Sequence, residues 1–323
     1  MRMRATAAIV PLLLAGCGVF LLVGSLESAL FAQLTVSGLA NGGIYASLAV
    51  ALVLIYRATQ VINFAQGALA TFATYVAWQF IAWNMTYWLA FSLTLGCAFV
   101  GGIVVERVAI RPAGRRGSVL SIVIASIGVL ILVEGSIPLI WGTDVRFFPS
   151  AFPARTIHVG GVAFQLQDLG TIGVSIAAVV LLWILFRFTK LGLAMRAAAF
   201  RPEAARLVGV RVGWMLSIGW GLASALGAVA GMMAAPSPSV LLQPSMMDGI
   251  LIYAFAAAVL GGLESPAGAV VGGLAIGALL NLLGSYVGWV TPQLLLPAAF
   301  LLMLTVLLVK PSGLFGRTSV RRV

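Results

Sequence analysis

Charge is scarce in this chain. Only 8% of its 323 residues are Asp, Glu, Lys or Arg, and the only lysines are Lys190 and Lys310. A soluble domain carries roughly 25% charged residues, so no water-facing surface can be built here and the soluble globular class is excluded. Histidine occurs once, at His158, and cysteine twice, at Cys17 and Cys97. That excludes a disulfide framework and the usual Cys/His metal spacings. It also excludes an H-E-x-x-H helix, and neither lysine completes a G-x-x-x-x-G-K-[ST] phosphate loop. No Ser/His/Asp set is available on one side of a membrane. The sequence therefore predicts no enzyme, no cofactor and no metal. If ATP drives this protein, another subunit holds the nucleotide.

Apolar residues are abundant instead: 62% of the chain, with a mean hydropathy of +1.12. A run of about 20 apolar residues crosses the hydrocarbon core as a helix. Such runs fall near 6–25, 34–56, 61–82, 87–105, 118–140, 168–188, 213–234, 248–262, 266–285 and 289–309. They predict an all-α polytopic membrane protein with about ten transmembrane or discontinuous helices. The run at 248–262 is short, and Gly261-Gly262-Leu263-Glu264-Ser265-Pro266 breaks it from the next. At the N-terminus, Arg2 and Arg4 precede an apolar run in which Leu14-Ala15-Gly16-Cys17 matches a lipoprotein cleavage box. Apolar residues continue past Cys17 through Val23, which favours a transmembrane helix or an uncleaved signal-anchor.

The net charge is +11, yet the cations lie in short gaps between apolar runs and not along one soluble face. Nucleic acid is therefore not a partner; the bilayer is. With the N-terminus inside, 17 of the 19 cations fall on the inner side, and only Arg146 and Arg155 fall outside. Both termini are thus expected in the cytoplasm of a bacterial cell, with the chain multi-pass in its inner or plasma membrane. On the outer side, Thr156-Ile157-His158-Val159 and Val162-Ala163-Phe164-Gln165 flank Gly160-Gly161 and predict a small external β-hairpin. His158 is read there as a solvated side chain. The expected organisation is a hydrophobic segment over 1–33, a transmembrane domain over 34–310, and a basic cytoplasmic tail over 311–323.

The densest cluster of cations is RFTKLGLAMRAAAFRPEAARLVGVRV, residues 187–212, where six cations accompany a single acid, Glu203. Within it, Arg201 to Gly209 predicts a very short helix, with Pro202 at the first helical position and Gly209 as a left-handed stop. Ala204, Leu207 and Val208 can share an apolar face. Such a knob suits a mechanical contact with a soluble partner; it equally suits an interfacial helix lying against lipid headgroups.

Resemblance narrows this choice. Glu203-Ala204-Ala205, three residues, then Gly209 resembles the EAA-x3-G signature of ABC importer permeases, where the segment docks on the ATPase subunit. The later I-x-L-P element is absent, since Gly219-Trp220-Gly221 follows Ile218. Three further stretches resemble the branched-chain amino-acid permeases of the LivH type. They are Gly38-Leu39-Ala40-Asn41-Gly42-Gly43-Ile44-Tyr45-Ala46, running on to Ile55-Tyr56-Arg57; Val61-Ile62-Asn63-Phe64-Ala65-Gln66-Gly67, similar to VINFAHG with Gln66 in place of His; and Leu260 to Ala269, similar to VLGGLGSLPGA with a departure around Glu264. The resemblance covers roughly 34–310. It implies an ABC importer permease fold, separate ATPase subunits, a second homologous permease, an extracytoplasmic solute-binding protein and a small-molecule substrate. It implies coupling to the ATPase through Glu203, Ala204, Ala205 and Gly209. Branched-chain amino acids are the expected substrates, with urea, short amides and small carboxylates as alternatives.

Gly-interrupted short segments often mark discontinuous helices near the bilayer midplane. Asn63, Gln66 and Gly67 at one break, and Gly261 and Gly262 at the other, are therefore expected to line or gate the path. Gly42, Gly43, Gly268, Gly272 and Gly277 are read as close-packing positions. Glu134 is the one acid clearly inside an apolar run; a path role and a helix-packing hydrogen bond both remain open for it. The competing classes are a self-sufficient channel or secondary transporter, favoured by the missing ATP site and by Glu134, and a membrane-embedded enzyme, for which no constellation exists.

Overall fold

The structure, a computed structural model, describes residues 28–116, 119–159, 162–237 and 240–316. The N-terminal run at 6–25, the Gly160-Gly161 turn and the tail beyond residue 316 lie outside the described residues.

The apolar runs become helices, because a helix satisfies its backbone polar groups within one segment. Helix α1 (Ser28–Thr59) has 32 residues and is ~48 Å long at the usual rise. It is followed by α2 (Gln66–Ala82) and by α3 (Tyr87–Val105). The latter runs on through a π-helical turn, Glu106–Ile110, into Arg111–Arg116. Next come α4 (Val119–Trp141) and the antiparallel hairpin of β1 (Thr156–Val159) and β2 (Val162–Gln165), in which Thr156 pairs with Gln165 and Val159 with Val162. Then α5 (Leu166–Phe188), α6 (Lys190–Phe200), α7 (Pro202–Leu207) and α8 (Val212–Ala234) follow. The chain closes with α9 (Asp248–Gly261), α10 (Pro266–Tyr286) and α11 (Pro292–Val309).

Boundaries follow local chemistry. The Thr189 hydroxyl accepts from the Gly192 amide at 3.0 Å to open α6, and the Ser265 hydroxyl accepts from the Gly268 amide at 3.0 Å to open α10. Proline occupies the first turn of α7, α10 and α11, where its missing N–H costs nothing. Seven helices among the described residues are long and apolar enough to cross a membrane: α1, the α3 continuum, α4, α5, α8, α10 and α11. With 17 and 14 residues, α2 and α9 are shorter. The protein is an all-α, multi-pass membrane protein with one small hairpin.

Helices α1 and α8 form the centre, 78% and 72% buried over their most apolar stretches, against 6% for α11. The peripheral helices leave Val104, Leu132, Leu181 and Leu304 exposed, the surface that hydrocarbon covers in a chain so poor in charge. At the centre α1 and α10 meet backbone to backbone. A Cβ on Gly277 would fall 2.3 Å from the Gly42 Cα, and one on Gly42 would fall 2.8 Å from the Leu274 Cα. Gly268 and Gly272 abut Gly261 and Ala257 in the same way, and Gly43 abuts Ser175. The packing reading of these five glycines therefore holds.

The helix ends gather into two groups, which gives the molecule two distinct ends. One end carries Arg57, the π-turn of α3, α6, α7 and Lys310. The other carries the hairpin and the connections after α4 and α8, which are joined by an antiparallel bridge between Arg146 and Leu242. There the Arg146 guanidinium lies 4.9 Å from the Trp78 ring centroid and donates to the Trp141 carbonyl at 2.8 Å. His158 is exposed on β1.

Candidate functional site

The short helix foreseen in the basic loop is present as α7, Pro202–Leu207. Its stop is a paired closure: the Gly209 amide donates to the Arg206 carbonyl and the Val210 amide to the Ala205 carbonyl, both at 3.0 Å. Gly209 adopts φ +81°, the left-handed conformation this closure requires. Ala205 is buried and packs with Ala198 of α6 and Val212 of α8, flanked by Val210, Met215 and Leu216. This small apolar cluster fixes the knob to the first turns of α8. The opposite side is bare: Leu207 is 89% and Val208 78% exposed, and Phe200, at the end of α6, is exposed as well. Glu203 and Ala204 are exposed as well. Of the four residues singled out in sequence, Ala205 anchors inward and Gly209 sets the geometry, while Glu203 and Ala204 face outward.

The break between α1 and α2 gathers Asn63, Gln66 and Gly67. Asn63 and Gln66 are both buried. The Asn63 amide nitrogen donates to the Gln66 side-chain oxygen at 3.1 Å, and the Asn63 oxygen accepts from the Ala65 amide at 3.1 Å. The Gln66 nitrogen donates to the Ala223 carbonyl at 2.9 Å, halfway along α8. The chain thus re-enters the bundle after Thr59 and starts α2 at mid-span. Gly67 faces the first turn of α9, where its Cβ would lie 3.2 Å from Leu251 Cδ2. In this conformation both side-chain amides are engaged with protein.

Gly261 and Gly262 lie elsewhere. They terminate α9 at the basic end of the bundle, about 15 Å of helix beyond the Leu251 contact of Gly67 by the rise per residue. Gly262 has φ +100°, and the C-terminal segment folds back over it. The Leu314 amide donates to the Leu260 carbonyl at 2.8 Å, and the Phe315 amide to the Gly261 carbonyl at 3.1 Å. The second break is therefore a turn covered by the C-terminal segment, at the end of the bundle that carries Lys310. Its apolar sequence resembles a span interior, and only the tertiary return of residues 310–316 reveals its level. Glu134 is half-exposed on α4, and Asp248, at the start of the α9 turn that Gly67 faces, is the acid that bears on it.

Sequence reasoning missed a fully built polar cluster. Glu106, in the π-turn, is only 2% exposed. Its carboxylate accepts from Arg111 Nε at 2.9 Å and from an Arg111 terminal nitrogen at 2.8 Å. The same nitrogen donates to the Gly213 carbonyl at 2.5 Å and to the Ser217 hydroxyl at 2.7 Å. Arg107 stacks on Trp214, 3.8 Å from its centroid. A five-residue spacing does not place two side chains together on an α-helix; only the π-turn does, and no residue pattern announced it.

A bundle of seven spanning helices, two half-length helices, a mid-span re-entry and an exposed rigid knob at its basic end defines a multi-pass transport protein of permease type. Residues 34–309 match the family described as branched-chain amino acid transport system / permease component, and the chain belongs to that family. It is 30% identical over 307 residues to the high-affinity branched-chain amino acid transport system permease protein LivH of Salmonella typhimurium, covering 91% of this chain and 98% of that protein. It is 29% identical over 308 residues to the permease protein BraD of Pseudomonas aeruginosa, again covering 91% and 98%. Among solved structures, PsaBC from Streptococcus pneumoniae in complex with Fab aligns at TM-score 0.45 and 15% identity, over 90% of this chain and 94% of that one.

Proposed function

We propose that this protein is the transmembrane permease subunit of an ATP-driven ABC importer for branched-chain or other small amino acids. The observation that carries the reading is α7: a rigid helix held by Ala205 and stopped by Gly209, with Leu207, Val208 and Phe200 left bare. An apolar knob of this kind on the basic end, which the charge rule puts in the cytoplasm, fits a groove on a separate ATPase. A helix resting on headgroups would have no need of so fixed a stop.

In this reading a second homologous permease completes the path, and an extracytoplasmic binding protein delivers solute at the hairpin end. Asn63, Gln66 and Gly67 form the inner closure of the path, shut in the present conformation. Opening would separate Gln66 from Ala223 and free two neutral amides to face a zwitterion. Gln66 stands where the resembled signature has His, which favours urea, short amides or small carboxylates as a second substrate reading. A self-sufficient channel or secondary transporter is less favoured, since the single half-exposed carboxylate of Glu134 is thin support for a proton path.

Co-expression with the candidate ATPase subunits, second permease and binding protein tests the proposal. We expect co-purification at fixed stoichiometry and ATP-dependent leucine uptake in proteoliposomes. Uptake by this chain alone, driven by a proton gradient, would overturn it. Competition of leucine uptake by urea, acetamide and short carboxylates separates the two substrate readings.

A further inference from the structure

The α3–α8 contact combines more than one kind of grip. Along its length the two helices touch through small residues: a Cβ on Gly102 would lie 2.5 Å from the Trp220 carbonyl, and one on Gly221 would lie 2.8 Å from the Phe99 carbonyl. Small-residue contacts bring helices close but do little to stop one sliding along the other. At the basic end, the buried Glu106–Arg111 pair adds a different kind of contact. Arg111 reaches the Gly213 carbonyl and the Ser217 hydroxyl, and Ser217 is also hydrogen-bonded to the Glu106 carboxylate at 2.7 Å. Arg107 on Trp214 adds a third grip. Gly213, Trp214 and Ser217 form the first turns of α8, only a few residues beyond the Gly209 stop of α7.

We propose that Glu106, Arg111 and Ser217 are positioning residues that make α3 move with α8 when the α6–α7 segment is displaced; the proposal rests on the importer reading above. The route is contiguous. Displacement of α7 is passed by Ala205 to Val212 and Met215 of α8 through their shared apolar cluster. One terminal nitrogen of Arg111, held in place by Glu106 from the same helix, fastens α3 to that same stretch of α8. Farther along, α8 carries the Ala223 carbonyl that holds Gln66, and a Cβ on Gly227 would meet the Gln66 nitrogen at 2.7 Å. Force applied at the knob thus reaches the mid-span closure through α8, and the Arg111 and Ser217 bonds across the seam keep α3 from lagging behind. A buried charge pair is weak as a source of stability, since apolar replacement is often neutral. Its value here is positional: both members belong to α3 and its continuation, and the fork holds one Arg111 nitrogen where it donates across the seam to Gly213 and Ser217.

The test uses the whole transporter in proteoliposomes and reads leucine moved per ATP hydrolysed, alongside thermal stability and ATPase co-purification. A wild-type complex with no ATPase or no ATP-dependent uptake overturns the importer reading, and this proposal with it, before any variant is made. Given a working wild type, the double variant Glu106→Leu/Arg111→Met removes the fork and leaves no unpaired charge. We expect it to assemble, to hydrolyse ATP, and to lose about fivefold or more in leucine moved per ATP. Arg111→Lys should lose coupling in the same direction, because the ammonium cannot reproduce the fork. Ser217→Ala, which leaves the pair intact, should show a milder loss and supplies the answer should the charged variants fail to assemble. A double variant, or in its absence Ser217→Ala, with normal leucine moved per ATP would reduce the cluster to a packing contact.

Discussion

At the residue scale the sharpest demand falls on Gly209. Its φ of +81° completes the closure that ends α7, and the space around its Cβ position is open. A substitution there acts through the backbone alone. Gly209→Val puts a β-branched residue in a left-handed conformation, strain of about 1–3 kcal/mol. Unwinding the stop relieves that strain and releases the Val210 amide from Ala205. We expect a membrane-resident protein that loses its ATPase in pull-downs; retained co-purification with normal uptake would return the loop to a headgroup contact. Gly67 makes the opposite demand, on space and not on conformation. A Cβ there already lies 3.2 Å from Leu251 Cδ2, so Gly67→Leu must push α9 away from α2. Assembly should survive while leucine uptake falls by about tenfold or more; normal uptake would remove this contact from the path. The Gly209 stop was legible because positive-φ glycine after a short amphipathic stretch has few alternatives. The inward turn of Ala205 was not, since Ala204 and Ala205 are chemically alike and only the cluster with Ala198 and Val212 distinguishes them.

At the scale of elements, the α1–α10 pair shows what glycine does in a helix that need not bend. Gly277 of α10 would place a Cβ 2.3 Å from the Gly42 Cα, far inside the ~3.5–4.0 Å of favourable carbon contact. Gly277→Val should therefore force the two central helices apart, opening a seam that side chains on either side are too short to fill. We expect a large drop in folded yield and a lower melting temperature in detergent. Gly135→Val is the control. Nothing lies within 4 Å of its Cβ position on α4, and its stability should match the wild type. Equal loss in both would mean that glycine acts through helix propensity and not through packing. The spans themselves were largely readable: runs at 118–140, 213–234 and 248–262 became Val119–Trp141, Val212–Ala234 and Asp248–Gly261. Hydropathy reports such segments because hydrocarbon leaves the backbone no alternative to the helix. It does not report depth. The break at Asn63 and the break at Gly261 look alike in sequence, yet one lies halfway along α8 and the other lies under the C-terminal segment. Nor does it report a π-turn, which is why a chain with so few acids hid one of them, Glu106, inside the α3–α8 seam.

For the molecule as a whole, the fold separates the cations before any membrane is considered. Arg57 lies within electrostatic reach of Glu264 and Arg196, and Arg111 is bonded to the start of α8, so the basic loops converge on one end. Arg146 is tied to Leu242 and Trp141 at the other end. Cationic loops are retained in the cytoplasm during insertion, so we expect the bundle to sit with α7 inside and the hairpin outside. Single-cysteine labelling tests this, starting from a background in which Cys17 and Cys97 are replaced. Thr156 and Lys190 are both exposed, in β1 and at the start of α6, so a cysteine at either position is open to reagent. A membrane-impermeant maleimide added to intact cells should modify Thr156→Cys and spare Lys190→Cys, and permeabilisation should make both react. The pattern carries two separate results. Opposite labelling of the two sites supports the two-ended fold whichever site reacts first. Modification of Lys190→Cys alone would keep that fold but invert it, placing α7 outside the cell, beyond reach of any cytoplasmic ATPase, and the importer reading would fall with it.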